Sequence, residues 1–547
     1  MFTSNTPSGP PLVAGSITAF AAGSLAYWGY WHRYEVHQYS WPTINAFLLT
    51  CLGMVITGVN VYSLAISESI GATTMIAGAF LLGGFGNCLV WRMFFNPLNK
   101  FPGPWSARIS CFWFTFQLGK ADGYYKLQAL HKKYGKYVRI GSNDLSITDP
   151  EIMELAYGNK SRVTKADWYD NDAPLTSMHT TRDKGLHDRR RRVWAPAFSE
   201  KAIRDYETEV TRLNDQFIQK MEDFDGQPVN VSKWFNLYSF DAMGLIGFGK
   251  EYGLMEKGEK PHALEMLDEG MAPLAFRLPA WFFRVLVAIP GAGAGYQKFI
   301  KFCVDELTWT VNNVGEKKRD NNIVSWLLKA YKDIKRPEND TFLQADSRLI
   351  IVAGSDTTAA TLISLFYNLA QNPNVVESLR KELDPLTAGS WHEIDIRNAE
   401  YLNGCINEAL RLLPPVPSGL ARLTPPEGLQ VGKTYIPGKA VFFNPMYVMG
   451  RDSDIYEEPD KFLPERWTTQ PEKVKHKDAF APFSVGPFGC IGKNLALMEL
   501  RTLVTRLIKS FDVEFAPGED GSKVLTKTKD HFTVDVGDLE LVFKPRH

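Results

Sequence analysis

The chain holds 547 residues, with 61 Lys and Arg balanced by 61 Asp and Glu. A net charge of zero gives no reason to expect nucleic acid as a partner, and the length exceeds one ordinary core without fixing a domain count. Six cysteines at 51, 88, 111, 303, 405 and 490 include no C-x-x-C pair, which argues against a disulfide framework or zinc site and fits a reduced, cytosol-facing catalytic portion.

The first hundred residues differ in composition from the rest. Residues 11–31, 44–66 and 71–91 are apolar stretches, each near the ~20 residues with which a helix crosses a bilayer. Lys and Arg are confined here to Arg33, Arg92 and Lys100. With three spans, all three basic residues lie on one side, while residues 1–10 and a loop at Glu68 take the other, which predicts a cytoplasmic C-terminal bulk. A cleaved signal peptide is disfavoured because no basic segment precedes the first stretch. A single anchor followed by two interfacial segments stays open. Pro97, Pro102, Gly103 and Pro104 then predict a stiff, extended linker over residues 95–105, between an anchor at 1–94 and a globular body at 106–547.

Residues 137–141 and 145–148 read as a β-hairpin, and the chain onward to about residue 400 is largely helical in period. Residues 187–192 hold His187 and four arginines. Such a run is usually a solvated face or a docking surface, although His187 and Arg191, four apart, share one side of a helix. Residues 346–371 predict a long buried helix. Within it Gly354, Asp356, Thr357 and Thr358 lower helix stability and, for the acid, add a desolvation cost. A purely structural account satisfies Asp356 by its neighbours and lets the threonines bond back to the previous turn. Glu408 and Arg411, three apart before Pro414 and Pro415, predict an ion pair on one helix face. β-like runs at 429–441 and 532–543 suggest small antiparallel sheets, and no internal repeat is present.

Near the C-terminus comes the most specific pattern: Phe483, Gly486, Gly489, Cys490 and Gly492, followed at once by an apolar-periodic run. Free N–H groups and the positive dipole end of a helix favour a thiolate there, and glycines let a large flat ligand approach the backbone. As a lone intracellular cysteine, Cys490 could equally be a small buried apolar residue, but four residue types at set spacing favour an axial sulfur ligand.

With these residues the sequence resembles the cytochrome P-450 family of haem-thiolate monooxygenases, over residue 95 to the C-terminus. The resemblance implies a mainly α fold with small antiparallel β-sheets, here preceded by N-terminal transmembrane helices. It implies haem b held on iron by Cys490 with Phe483 and Gly486 alongside, and propionates bound by His187, Arg191 and Arg422. It makes Asp356 and Thr357 the catalytic pair that delivers protons, with Gly354 letting the helix bulge. Glu408, Arg411 and Arg466 become a structural network. One departure stands out: the family usually carries Arg two residues before the cysteine, where this chain has Phe488.

The same resemblance implies electrons from NADPH through a membrane-bound NADPH-cytochrome reductase and an endoplasmic-reticulum membrane location facing the cytoplasm, while the zero net charge leaves no nucleic acid among the expected partners. Residues 165–187, the anchor and residues 527–532 are similar to fungal enzymes of the tryprostatin B hydroxylase kind, which implies an apolar small-molecule substrate in secondary metabolism. A haem-thiolate isomerase or dehydratase, and a non-catalytic membrane haem-binding protein, are the alternatives; the acid-alcohol pair speaks against both.

Overall fold

The computed structural model describes residues 10–259, 266, 270–313, 321–386 and 391–546. It divides into two compact units, one of residues 1–114, 139–144 and 278–293, the other of residues 115–138, 145–277 and 294–547.

The first unit is built on helices α1 (Pro10–Ala26), α2 (Ser40–Asn60) and α3 (Ile66–Val90). α1 and α3 approach through glycine: a Cβ on Gly23 would strike the carbonyl of Phe80, and one on Gly83 the carbonyl of Phe20. Small residues permit such contact between backbones where lipid offers no hydrophobic drive to pair helices. Polar side chains add to the seam, Trp28 Nε1 donating to Asn87 Oδ1 and Asn87 Nδ2 to Ser24 Oγ, each at 3.0 Å. Outward faces carry exposed Ile17, Leu48, Leu52, Ile56, Leu82 and Phe85.

Spans of 12–31, 37–60 and 66–100 are long and apolar enough to cross a bilayer, with only 11%, 6% and 17% of their most apolar windows buried. A fourth helix of that length and composition, Thr341–Gln371, is 67% buried, so it belongs to a protein core. Two expectations shift. The loop expected at Glu68 is the first turn of α3, where the carboxylate accepts from the N–H of Ala65 at 3.2 Å and favours the positive helix end. The linker expected to be extended contains two short helical turns, Pro97–Lys100 and Trp105–Arg108, since proline is well suited to the first position of a turn.

The second unit surrounds a long central helix. Its principal helices here are α4 (Lys184–Trp194), α5 (Val231–Met243), α6 (Thr341–Gln371), α7 (Glu400–Leu412) and α8 (Lys493–Ser510). α6 has 31 residues, about 46 Å at the usual rise, and begins at Asp340, whose side chain accepts from the N–H of Leu343 at 2.9 Å. It packs against α5, α7 and α8, which explains apolar residues on nearly every side.

Five short strands, β1 (Tyr137–Arg139), β2 (Asp144–Ile147), β3 (Thr164–Lys165), β4 (Arg422–Leu423) and β5 (Val441–Phe443), form a sheet in the order β1-β2-β5-β4-β3. β3 and β4 are antiparallel, with Lys165 directly opposite Arg422. Smaller sheets pair Leu429–Val431 with Thr434–Ile436, Lys529–His531 with Thr533–Asp535, and Glu540–Pro545 with Phe511–Phe515 and Val229–Asn230.

α7 carries a fully buried charge network. Glu408 accepts from Arg411 Nη2 at 2.6 Å and from Arg466 Nε, the Leu463 N–H and Trp467 Nε1, each at 2.9 Å. On α4 the arginines divide. Arg189 and Arg192 are exposed, whereas Arg190, expected at the solvent face, is buried and pairs with Asp346 of α6, which also accepts from Trp194 Nε1 at 2.9 Å. The cause is periodicity: 187, 190, 191 and 194 share the inward side of α4.

Candidate active site

Cys490 stands just ahead of α8, whose N-cap is Gly492. Its N–H donates to the carbonyl of Phe483 at 2.8 Å, closing a loop that turns at Gly486 with φ +67°, where a Cβ would strike the Tyr157 carbonyl. Only glycine fits that turn. Gly486 thus shapes the loop, while Phe483, Gly489, Cys490 and Gly492 line a cavity of about 390 Å³. The exposure of Cys490 is onto this cavity. Surrounding protein raises the thiol's pKa, opposed by the N–H groups of Gly492 and Lys493 and by the charge of Arg191; these opposing groups stabilise a thiolate.

Ala353, Gly354, Thr357 and Thr358 of α6 line the same cavity. α6 runs unbroken through Gly354, and Ser239 of α5 donates to the carbonyl of Ser355 at 2.6 Å. Thr357 Oγ1 donates to the Ala353 carbonyl at 2.9 Å. The expected pair separates here, because neighbouring helical residues point about 100° apart. Asp356 faces a second cavity of about 300 Å³ and accepts from Thr533 Oγ1 at 3.1 Å. Thr533 lines both cavities.

His187, Arg191 and Arg422 come together at the cavity wall. Arg191 Nη1 donates to the Gly489 carbonyl at 2.7 Å, the His187 ring meets the Phe488 ring edge-on at 4.5 Å, and Arg422 Nη1 donates to Tyr169 Oη at 2.9 Å. Burial lowers the pKa of His187, against the pull of Asp188.

Other lining groups carry no local signal in the sequence. Glu499 of α8 is buried and accepts from Thr358 Oγ1 at 3.1 Å, and burial lifts its carboxyl to about 7. Asp172 pairs with Arg348 of α6, Nη1 to Oδ1 at 2.6 Å, and accepts from Tyr296. Burial works against the Asp172 anion, but the Arg348 charge and hydrogen bonds hold its pKa below the usual value. Trp168 stacks on Phe532 at 5.0 Å.

Residues of α6 and Cys490 line one cavity. The crystal structure of the cytochrome P450DA heme domain superposes on 80% of this chain and 95% of its own length, with a TM-score of 0.66 at 19% identity. The fold is therefore that of a haem domain. A model of the family described as Cytochrome P450 matches residues 102–537, and the chain belongs to that family. Cytochrome P450 monooxygenase lcsK of Purpureocillium lilacinum is 40% identical over 530 residues, covering 94% of this chain and 95% of the relative. Tryprostatin B 6-hydroxylase of Aspergillus fumigatus is 38% identical over 542 residues, covering 97% and 96%. The chain is thus a monooxygenase of the haem-thiolate class, similar to fungal tryprostatin B hydroxylases.

Family membership implies haem b, and the residues present fit it. A sulfur donor faces the cavity beside glycines. Lys165, Arg191, Arg348 and Arg422 outnumber the two lining carboxyls, Asp172 and Glu499, and among the described residues the buried Nε of Arg422 has no hydrogen-bond partner.

Proposed function

We propose that Cys490 is the residue whose sulfur would hold haem b in a membrane-anchored, NADPH- and reductase-dependent monooxygenase that inserts one oxygen atom into an apolar, neutral small molecule of fungal secondary metabolism. The observation that carries this reading is that Cys490 and Thr357, from opposite elements, line one cavity. Bound there, haem supplies an iron whose thiolate ligand favours cleavage of the dioxygen O–O bond.

The chain's own side chains do the rest. Arg191 and Arg422 would hold the propionates by charge-assisted hydrogen bonds, and the neutral imidazole of His187 would add one more. Phe483 lines the cavity and Gly486 fixes the loop that presents Cys490. Thr357, its hydroxyl proton directed to Ala353, keeps acceptor lone pairs for a water and delivers protons into the cavity by reorienting. Asp356 restores those protons from the second cavity by way of Thr533, which bonds it and lines both cavities. The Asp172–Arg348 pair closes its charge within itself, so this part of the cavity wall favours a neutral substrate. Trp168 and Phe532 offer it an aromatic face.

α1, α2 and α3 span the bilayer with Arg33, Arg92 and Lys100 on the cytoplasmic side of the endoplasmic reticulum. The exposed Arg189 and Arg192 suit an acidic surface on the reductase. An isomerase or dehydratase, which needs no proton delivery, would leave Thr357 without a task in the cavity. The test is the reduced carbon monoxide spectrum: Cys490→Ala loses the thiolate-type band, and its retention overturns the ligand assignment.

A further inference from the structure

One hairpin near the C-terminus touches both cavities. Its strands Lys529–His531 and Thr533–Asp535 pair Asp530 with Val534 and His531 with Thr533. Both flanks are pinned, the Asp530 N–H donating to the Ala121 carbonyl at 2.7 Å and the Val534 N–H to the Pro415 carbonyl at 3.0 Å. Phe532 alone makes the reversal, at φ +85°, a conformation that large side chains rarely adopt. It lines the first cavity, whereas His531 lines the second together with Asp356, and Thr533 lines both. We propose that His531 is the proton source behind Asp356: its imidazolium gives a proton to the Asp356 carboxylate, and the neutral imidazole left behind takes a new one from bulk water.

Three observations support this. The second cavity leads from buried groups to solvent: Thr533, 4% exposed, bonds Asp356 at 3.1 Å, while Lys233, Asp535 and Asp538 of the same wall are exposed and His531 is intermediate. A polar-walled space of about 300 Å³ holds waters that pass a proton between these groups. His531 and Thr533 are also opposed across the hairpin, which brings two side chains to one face, and Thr533 is the residue that holds Asp356. Finally, the other charged groups on the wall are poor proton sources near neutral pH. Asp535 lies 3.9 Å from Lys529 Nζ and Asp538 accepts from Asn230 Nδ2 at 2.9 Å. Carboxylates and ammonium groups ordinarily change charge far from neutrality, and imidazole close to it. The charges around His531 are thus Asp356 of α6, Lys233 of α5, and Lys529, Asp535 and Asp538 of the hairpin and its continuation. Asp530 instead accepts from Ser418, and the turn Ala272–Phe276, which packs on the strand Lys529–His531, has no ionisable side chain.

The inference rests on the reading of Asp356 and Thr533 as a proton relay, and the experiment separates the two. Full-length holoenzyme given reductase and NADPH, with no substrate, divides dioxygen between peroxide and water, the second of which consumes more protons. The peroxide share should rise with pH through the His531 titration, because only the imidazolium supplies a proton. His531→Gln should raise that share about threefold or more on the acid side and erase the inflection, whereas Glu499→Gln, on the first cavity, should keep it. A readout independent of turnover is the nuclear magnetic resonance titration of carbon-13-labelled histidines in the ferrous carbon monoxide form. The signal missing in His531→Gln belongs to His531, and Asp356→Asn should lower its midpoint by about half a pH unit or more. A midpoint indifferent to Asp356→Asn, or a His531→Gln profile equal to the parent's, makes His531 a plain hairpin residue and overturns the proposal. If His531→Gln accumulates poorly, Asp535→Asn and Lys233→Gln serve in its place: they should move the parent inflection to lower and higher pH respectively, and an inflection that neither moves overturns the proposal as well. Should Asp356→Asn leave the peroxide share unchanged, the relay reading itself fails, and His531 with it.

Discussion

Individual side chains in the cavity divide the work by which way they point. Thr357 lines the cavity that Cys490 lines and Asp356 lines the second one, so their substitutions should differ. Thr357→Ala is expected to retain the haem spectrum, release more peroxide and lower product per NADPH at least about tenfold; unchanged coupling would remove its role. Glu499 makes a different demand. Its carboxyl titrates near 7 in the folded protein against about 4.5 unfolded, so below about pH 4.5 it is protonated in both states and costs nothing. As pH rises through 7 the folded state must hold a buried anion. Stability should fall across that window by an amount on the order of 3 kcal/mol, and Glu499→Gln should flatten the profile, measured by denaturant unfolding of holoenzyme at several pH values. The sequence hides Glu499 because it lies inside an ordinary helical pattern. Lys165 is hidden for a related reason: its neighbours are brought by β4 and the cysteine loop, and no local spacing encodes that meeting. Cys490 is legible because its loop needs glycines at fixed offsets whatever surrounds it.

Elements show the same contrast. The Glu408–Arg411 spacing on α7 is local and can be read directly, and its third partner, Arg466, follows from the family pattern. Arg190 escapes such a reading because a run of four arginines looks like a solvated face, yet a helix turns one of any four inward, and Asp346 of α6 receives it. The α7 network has no solvent to fall back on. Glu408→Ala would leave Arg411 and Arg466 buried without their anion and should cost about 3–5 kcal/mol. Burial opposes the Glu408 anion, but its two arginines win and hold the pKa below 4.5. Its contribution is therefore present above about pH 4.5 and lost as pH falls through the lowered value, opposite in sign to that of Glu499. In the anchor, the α1–α3 seam depends on the missing side chains of Gly23 and Gly83. Gly23→Val should separate these helices, seen as lost cysteine cross-linking between probes placed on α1 and α3, while Gly53→Val on α2, where a Cβ meets nothing within 4 Å, should not.

For the whole chain, we expect the anchoring surface to extend beyond the three helices that the sequence marks as apolar. The first unit also contains residues 278–293, where the helix Ala280–Ala288 packs against α2. Its sequence, with Trp281, Phe282, Val285, Leu286 and Val287, is apolar but only nine residues long, far short of a span, which is why hydropathy alone passes over it. Trp281 is 38% exposed and Phe94 and Phe95 are each 67% exposed. These are the amphipathic and aromatic groups expected at a lipid–water interface. Removing residues 1–94 takes away α2, so the helix Ala280–Ala288 loses a packing partner and presents more apolar surface. The truncated protein should keep its haem, since the residues lining the cavity proposed for it all lie in the second unit, but should still float with lipid vesicles in a density gradient. Adding Trp281→Ser and Phe282→Ser to the truncation should release it to the soluble fraction. A truncated protein that is soluble without those changes would confine the membrane attachment to α1, α2 and α3.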